Sequence, residues 1–236
     1  MDINETADFQ TGKVLLLIKP IGWTSFDLVK KIRNIIIRRL GYKKIKVGHA
    51  GTLDPLADGL MILCTGKATK EISNYQQLDK EYTATLEFGK TTPSFDLETP
   101  VDKTYNITHI NRDKIIKSLE KFIGEIEQVP PIFSAKNIKG GRAYHFARKG
   151  ENIELKPNKV IIRQLELINF DLPFIEIRVL CSKGTYIRAL ARDLGKILES
   201  GAYITRLTRT KIGPYKMKDA LTIKIFEEKL KKIKQK

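Results

Sequence analysis

Acidic residues are scarce relative to basic ones. The 236-residue chain has 27 Asp and Glu against 43 Lys and Arg, a formal net charge of +16, and a pI near 9.7. That imbalance argues against a cationic partner and makes nucleic acid the first candidate. Cysteine is scarcer still. Cys64 and Cys181 lie far apart, with no C-x-x-C or Cys/His spacing, which excludes a disulfide scaffold and gives no zinc pattern. Both sit in apolar runs and read as buried free thiols in a reducing compartment. No apolar run approaches the ~20 residues needed to span a bilayer. The start, residues 1–12, is polar and acidic, unlike a signal peptide, so a cytoplasmic protein is expected. No phosphate-binding G-x-x-x-x-G-K, internal repeat or metal-ligand cluster stands out. A chain of this length should bury about 70–75% of its unfolded surface and hold its own core.

What the chain does have is one unusual stretch, Gly48-His49-Ala50-Gly51-Thr52-Leu53-Asp54-Pro55-Leu56-Ala57-Asp58-Gly59. Glycine and proline forbid a helix here, and the polarity is too high for a buried strand. It reads as a shaped loop. Pro55 pushes Asp54 toward an extended backbone, so the carboxylate is held stiffly. Such a group serves as a nucleophile or general base. Asp-Pro also favours plain turns, and the spacing alone leaves both uses open. His49 offers a flat ring able to stack on a base.

The flanking chain is strongly patterned. Residues 13–18 form a short apolar run that reads as a strand, ended by Lys19-Pro20. Thr24 or Ser25 can cap a helix in which Val29, Ile32, Ile36 and Leu40 share a face. From Lys30 to Lys46 the chain carries many Lys and Arg and no acidic residue. A solvated helix face usually mixes signs, so a phosphate-contacting surface is favoured. Residues 60–64 read as a strand, and 80–88 alternate, with Tyr82, Ala84, Leu86 and Phe88 on one face and Glu81, Thr83, Thr85 and Glu87 on the other. Residues 111–123 read as an amphipathic helix stopped by Gly124. Gln128 to Lys136, with Pro130-Pro131, is irregular and leads to a Gly140-Gly141 turn and a short basic helix. Residues 158–170 and 174–182 read as strands. A turn at Gly184-Thr185 then opens a helix with Arg188 in its first turn. A cation is unfavourable there, and an acidic partner would offset that; a plain surface arginine, or one paired with Asp193, is the other reading. Residues 205–210 are an extended basic stretch, and the lysine-rich end from Thr222 reads as a short helix ending in disorder.

Gly48 to Gly59 resembles the catalytic motif G-H-x-G-T-L-D-P-x-A-x-G of the bacterial tRNA pseudouridine-55 synthase family. Asp58 stands where Thr or Ser is usual. Further resemblances are Lys80-Glu81-Tyr82 to a K-x-Y pattern and Gln128–Lys136 to Q-x-P-P-x-[FY]-S-A. Cys181-Ser182-Lys183-Gly184-Thr185-Tyr186-Ile187-Arg188 matches C-S-x-G-T-Y-I-R. Gly89, Thr92 and Asp96 fit G-x-x-T-x-T-x-D, with Pro93 where Asp is common. The resemblance runs from about residue 13 to 220. It implies an α+β fold, a mixed, largely antiparallel sheet flanked by helices with a central basic cleft. It also implies a polar extension at 1–12, a catalytic domain at 13–220 and a lysine-rich tail at 221–236, a short form lacking a C-terminal PUA-like domain.

The resemblance implies conversion of uridine 55 in the T arm of tRNA to pseudouridine, after the base is flipped out. Asp54 would be the nucleophile, attacking the nucleoside or starting an elimination at the sugar. Arg188 would pair with Asp54, and Tyr82 would stack on the base or act near the proton to be removed. Tyr186 and Leu207 would wall the pocket, His49 would occupy or stack against the space the base leaves, and Lys19 would brace the site. No cofactor, metal, membrane or obligate protein partner is expected, and the chain is expected to be a monomer. Two other classes compete: an RNA-binding chaperone without turnover, and a pseudouridine synthase for another RNA, such as an RNA-guided one. A pure binder gains nothing from a carboxylate in a basic cleft, which favours the enzyme.

Overall fold

A computed structural model describes residues 8–134, 136–138, 141–149, 151 and 154–232. In chain order the elements are β1 (Val14–Lys19), α1 (Ser25–Leu40), β2 (Val47–His49), β3 (Ala57–Thr65), α2 (Ile72–Gln77), β4 (Lys80–Phe88), β5 (Lys90–Thr91), β6 (Lys103–Thr104) and α3 (Arg112–Glu120). Then come β7 (Gly124–Gln128), β8 (Asn137–Ile138), β9 (Gly141–Arg142), α4 (Ala143–Ala147), β10 (Asn158–Asp171), β11 (Phe174–Cys181), α5 (Ile187–Ile197), β12 (Ala202–Ile212), β13 (Tyr215–Lys216) and α6 (Ile223–Lys231). The architecture is α+β, a mixed, mostly antiparallel sheet flanked by helices, with β1–β3, β10–β11 and β7–β10 antiparallel. The residues group into two compact units, one of 8–82 with 208–232 and one of Thr83–Leu207.

In the first unit the strand order is β1-β3-β12-β4, with β2 also on β3 and β13 on β12. β1 and β3 are antiparallel, Val14 opposite Cys64 and Lys19 opposite Gly59. Nearly all of β3 is buried, so it reads as a continuous apolar run rather than an alternating one. α1 begins with a capping box. Thr24 accepts from the Asp27 amide while Asp27 accepts from the Thr24 amide. It ends at Gly41, whose left-handed backbone returns its N–H to the Ile37 carbonyl. Leu28, Val29, Ile32, Ile35 and Ile36 are its buried stripe. α6 packs on α1, and Phe226 meets Phe9 edge to face with centroids 6.4 Å apart. Phe9 is fully buried, so the polar start of the chain already contributes to this core. A second cluster joins Leu16, Ala50, Leu60, Ile62, Cys64 and Ile212 to Ile72, Tyr75 and Leu78. Lys80 closes α2, its ammonium donating to the Gln76 and Leu78 carbonyls at 2.7 and 2.6 Å.

In the second unit the order is β12-β4-β11-β10-β7. β10 and β11 form a hairpin through Leu172-Pro173, with Ile162 opposite Cys181 and Asp171 opposite Phe174. α3 is shorter than the 111–123 expected. Asn111 caps it through the Lys114 amide, and a turn at 121–123 leads into Gly124, where β7 starts. Glu87 also departs from simple alternation. It is buried, accepts from the Tyr203 hydroxyl and pairs with Lys90 at 2.8 Å. Burial, then Glu87, pushes the Tyr203 phenol up to about 12. The expected basic stretch at 205–210 is the β12 strand, and Arg209 in it is buried rather than solvent-facing. The expected Gly140-Gly141 turn lies partly outside the described residues. The lysine-rich end does form a helix, α6, capped by Thr222.

Gly59 sets how closely β3 and β12 approach. Its φ is +113°, and a Cβ there would lie 2.4 Å from the Arg209 carbonyl oxygen and 2.7 Å from the Arg209 nitrogen. Both atoms are backbone and cannot step aside. Gly59→Ala is therefore expected to lower unfolding free energy by about 3 kcal/mol or more. Urea denaturation measures this, and a midpoint close to wild type would show that the strands can part without cost.

Candidate active site

The Asp54 loop connects β2 to β3, and its backbone is tied down from two sides. On the side of the β1–α1 turn, Ser25 is buried and makes a reciprocal pair with Leu53. The Leu53 amide donates to Ser25 Oγ at 2.8 Å, and Oγ donates to the Leu53 carbonyl at 3.0 Å. The Gly22 amide donates to the Pro55 carbonyl at 2.8 Å. Lys19 is fully buried, and its Nζ donates to the carbonyls of Trp23 (2.6 Å), Pro20 (3.0 Å) and Pro55 (3.4 Å). On the β12 side, Arg209 donates from Nε to the Leu60 carbonyl (2.8 Å), from Nη1 to Thr52 (3.2 Å) and from Nη2 to Gly51 (3.3 Å).

Asp54 is thus half-buried between two fixed peptides, and its own carbonyl accepts from the Ala57 amide at 3.1 Å, closing the turn. The backbone at Asp54-Pro55 therefore makes the turn that Asp-Pro favours. Asp58 accepts from Thr208 Oγ1 at 2.5 Å. His49 sits in β2, half-buried, and its enclosed Nδ1 has no hydrogen-bond partner among the described residues. Burial above all lowers its pKa. Tyr82, half-buried in β4, lies two residues after the lysine that closes α2.

The other candidates belong to the second unit. Tyr186 is the N-cap residue of α5, its amide and carbonyl both held by the buried Gln128 side chain at 2.8 and 3.1 Å. Arg188 is buried. Its acidic partner in this unit is Asp96, at 3.4 Å, and it donates to the carbonyls of Ser94 (3.1 Å) and Phe133 (2.8 Å). Asp193 pairs with Arg192 instead. Leu207 is buried on β12. Lys19, His49 and Asp54 therefore gather on one loop and its brace, with Tyr82 in the same unit, while Tyr186, Arg188 and Leu207 stand on the second unit.

Sequence reasoning missed Ser25, Asp96 and Arg209 as site supports. Ser25 was visible only as an alternative cap, and once Thr24 takes that role Ser25 is left to hold Leu53. Arg209 had a signal: it shares strand parity with Leu207.

Among the described residues no group of three or more His, Cys, Asp or Glu is placed to hold a metal, and no helix is long and apolar enough to cross a membrane. An open groove of about 400 Å³ beside the brace is lined by Gly22, Trp23, Asp27, Lys30, Lys31 and Asn34.

Solved structures share this fold. A Cbf5-Nop10-Gar1 complex aligns with 93% of the chain at TM-score 0.70 and 28% identity. An H/ACA RNP bound to a substrate RNA containing 2'-deoxyuridine aligns with 93% at TM-score 0.67 and 26% identity. The chain spans about half the length of those two proteins, 54% and 53%. The fold is that of the pseudouridine synthases. The model of the TruB family pseudouridylate synthase N-terminal domain matches residues 38–187, and that of the tRNA pseudouridylate synthase B C-terminal domain matches 188–236. Similar curated proteins include the tRNA pseudouridine synthase B of Phocaeicola vulgatus, 58% identical over 94% of both chains. That of Flavobacterium johnsoniae is 51% identical over 94% of this chain and 98% of its own. The chain belongs to the TruB family of pseudouridine synthases, a family of isomerases.

Lys19 supplies a pH signature. Burial lowers its pKa from 10.5 to about 8, against the opposing pull of Asp58 and Asp54. Between those two values the unfolded chain keeps the proton that the folded chain has lost, so this group makes stability rise with pH there. Thermal unfolding of wild type and Lys19→Met across that range tests it. The difference in stability, wild type minus variant, is expected to grow from pH 8 to 10.5. A flat difference would mean that the ammonium keeps its ordinary pKa.

Proposed function

We propose that this protein converts uridine 55 in the T arm of tRNA to pseudouridine, acting as a single chain in the cytoplasm, with Asp54 as the nucleophile. The observation that carries this reading is the brace. Peptides on both sides of Asp54 are fixed by Ser25, Gly22, Lys19 and Arg209, and the residue between them is half-buried. Holding a reactive group in one geometry is where much of an enzyme's advantage arises, and a turn needed only for folding does not require two buried cations. The relatives named tRNA pseudouridine synthase B, matched along almost their whole length, support tRNA as the substrate.

The isomerisation is redox-neutral. The bond from N1 of the base to C1' of the ribose breaks, and a bond from C5 to C1' forms. The proton on C5 is lost and N1 gains one. A base inside a folded RNA arm must first leave its stack. His49 then fills or stacks against the space it leaves. Asp54 attacks the nucleoside or starts elimination at the sugar, and Arg188 orients it. Tyr82 stacks on the base or stands near the proton that departs, and Tyr186 and Leu207 wall the pocket. The groove beside Trp23, with exposed Lys30 and Lys31, suits an RNA backbone, since Lys–phosphate contacts gain affinity by releasing counterions.

Tritium release from tRNA labelled at uridine C5 tests the assignment. Wild type is expected to release one tritium per tRNA at position 55. Asp54→Asn is expected to release none while binding tRNA as wild type does. Turnover by Asp54→Asn would remove the nucleophile role, and tight binding by wild type without any release would favour an RNA-binding chaperone. Tyr82→Phe is expected to fold normally and to lose about 10²-fold or more in rate, the scale of one positioned acid–base group. A wild-type rate would reduce the hydroxyl to packing.

A further inference from the structure

Arg209 is among the most buried large side chains in the molecule, 1% exposed, yet its guanidinium donates to neutral backbone carbonyls. Burying a cation is costly, and bonds to carbonyls alone offset that poorly. The positions of those carbonyls supply a reason. Thr52 and Leu53 share one peptide group. Its oxygen accepts from Arg209 Nη1 and its N–H donates to Ser25 Oγ, so the peptide is gripped at both ends. Asp54 follows directly. The Gly51 and Leu60 carbonyls, which the same guanidinium also holds, lie on either side of the turn. Five N–H donors in a rigid planar fork can span such a set, whereas an ammonium on a flexible stem cannot hold all of it in register. The backbone is shaped to admit the residue. Gly51 has φ +119°, a backbone that L side chains rarely adopt, and Gly59 lets the Arg209 backbone lie against β3.

We propose that Arg209 is a positioning residue for the isomerisation, setting the direction of the Asp54 carboxylate through the Gly51, Thr52 and Leu60 carbonyls. The inference rests on Asp54 being the nucleophile. Arg209 touches no reacting atom, so its loss acts on the chemical step and not on RNA affinity. A shift of about 1 Å in a reacting group costs about 10²-fold in rate. Arg209→Lys keeps the charge and most of the volume. It is expected to bind tRNA and show KM as wild type does, with kcat reduced about 10- to 100-fold. In Arg209→Ala, added guanidinium at millimolar concentration is expected to raise kcat by refilling the space. A merely structural role would not produce that gain, because guanidinium otherwise destabilises proteins.

The decisive measurement is kcat and KM from tritium release for both variants, with thermal unfolding to count folded enzyme and Asp54→Asn assayed in parallel. Reduced kcat at unchanged KM in folded Arg209→Lys, with guanidinium rescue of Arg209→Ala, supports the proposal. Wild-type kcat per folded molecule in Arg209→Lys, or loss of rate only in step with loss of folded protein and no rescue, overturns it. If Asp54→Asn itself turns over, the nucleophile reading fails and this inference fails with it. If Asp54→Asn is dead and Arg209→Lys is normal, only this inference fails.

Discussion

An irregular loop cannot satisfy its own carbonyls, and that constraint governs the first unit. The stretch between β2 and β3 has too much glycine and proline for a ladder or a helix, so its C=O groups need donors from elsewhere. An unmet buried carbonyl costs about 1–3 kcal/mol. Here the donors are two buried cations, Lys19 and Arg209, with the Gly22 amide and the Ser25 hydroxyl. Asp58 and Asp54 both favour the charge on Lys19, and Arg209 opposes it. Asp58 belongs to this balance. Where the family pattern has a neutral hydroxyl residue, this chain has a carboxylate, and Thr208 supplies the hydroxyl that binds it.

The second unit meets the same constraint with different residues. Arg188, in the first turn of α5, stands where a helix dipole disfavours a cation. It is held by Asp96 and by the Ser94 and Phe133 carbonyls. Asp96 is itself part of a small polar cage, in which its carbonyl accepts from Thr92 and Ser94 and its carboxylate accepts from the Glu98 amide. Gln128 does for Tyr186 what Ser25 does for Leu53, using both ends of one side chain to hold one residue's backbone. Asp54 in the first unit and Tyr186 in the second thus lie beside or on backbone that a polar side chain has pinned.

Much of this was legible in the sequence where local physics is strong. The capped α1, the apolar β3 and the β10–β11 hairpin follow from periodicity and turn residues. The loop announced itself through glycine and proline. What the sequence concealed was long-range. Ser25 and Thr24 are equally good caps until the structure shows which one the helix uses. Arg206 is exposed and Arg209 buried, as strand parity with Leu207 allows, but the carbonyls that Arg209 holds lie 149 to 158 residues away in sequence. Glu87 reads as solvent-facing by alternation, and only its Tyr203 and Lys90 partners explain its burial. The end of α3 was overrun because the turn after it is itself apolar, Phe122-Ile123, and hydrophobic spacing cannot distinguish such a turn from one more turn of helix.

The first unit is discontinuous along the chain, and that has a consequence for its biogenesis. Thr52 and Arg209 are 157 residues apart. At ribosomal speeds of roughly 5–20 residues per second, a nascent chain waits on the order of 10–30 s between making the loop and making the residue that holds it. The Phe9–Phe226 contact closes later still. Throughout that interval the Asp54 segment has its β1 and α1 anchors but lacks the β12 grip. The brace is therefore completed only once β12 has been made, and a chain truncated before β12 would carry the whole motif without the scaffold that holds it.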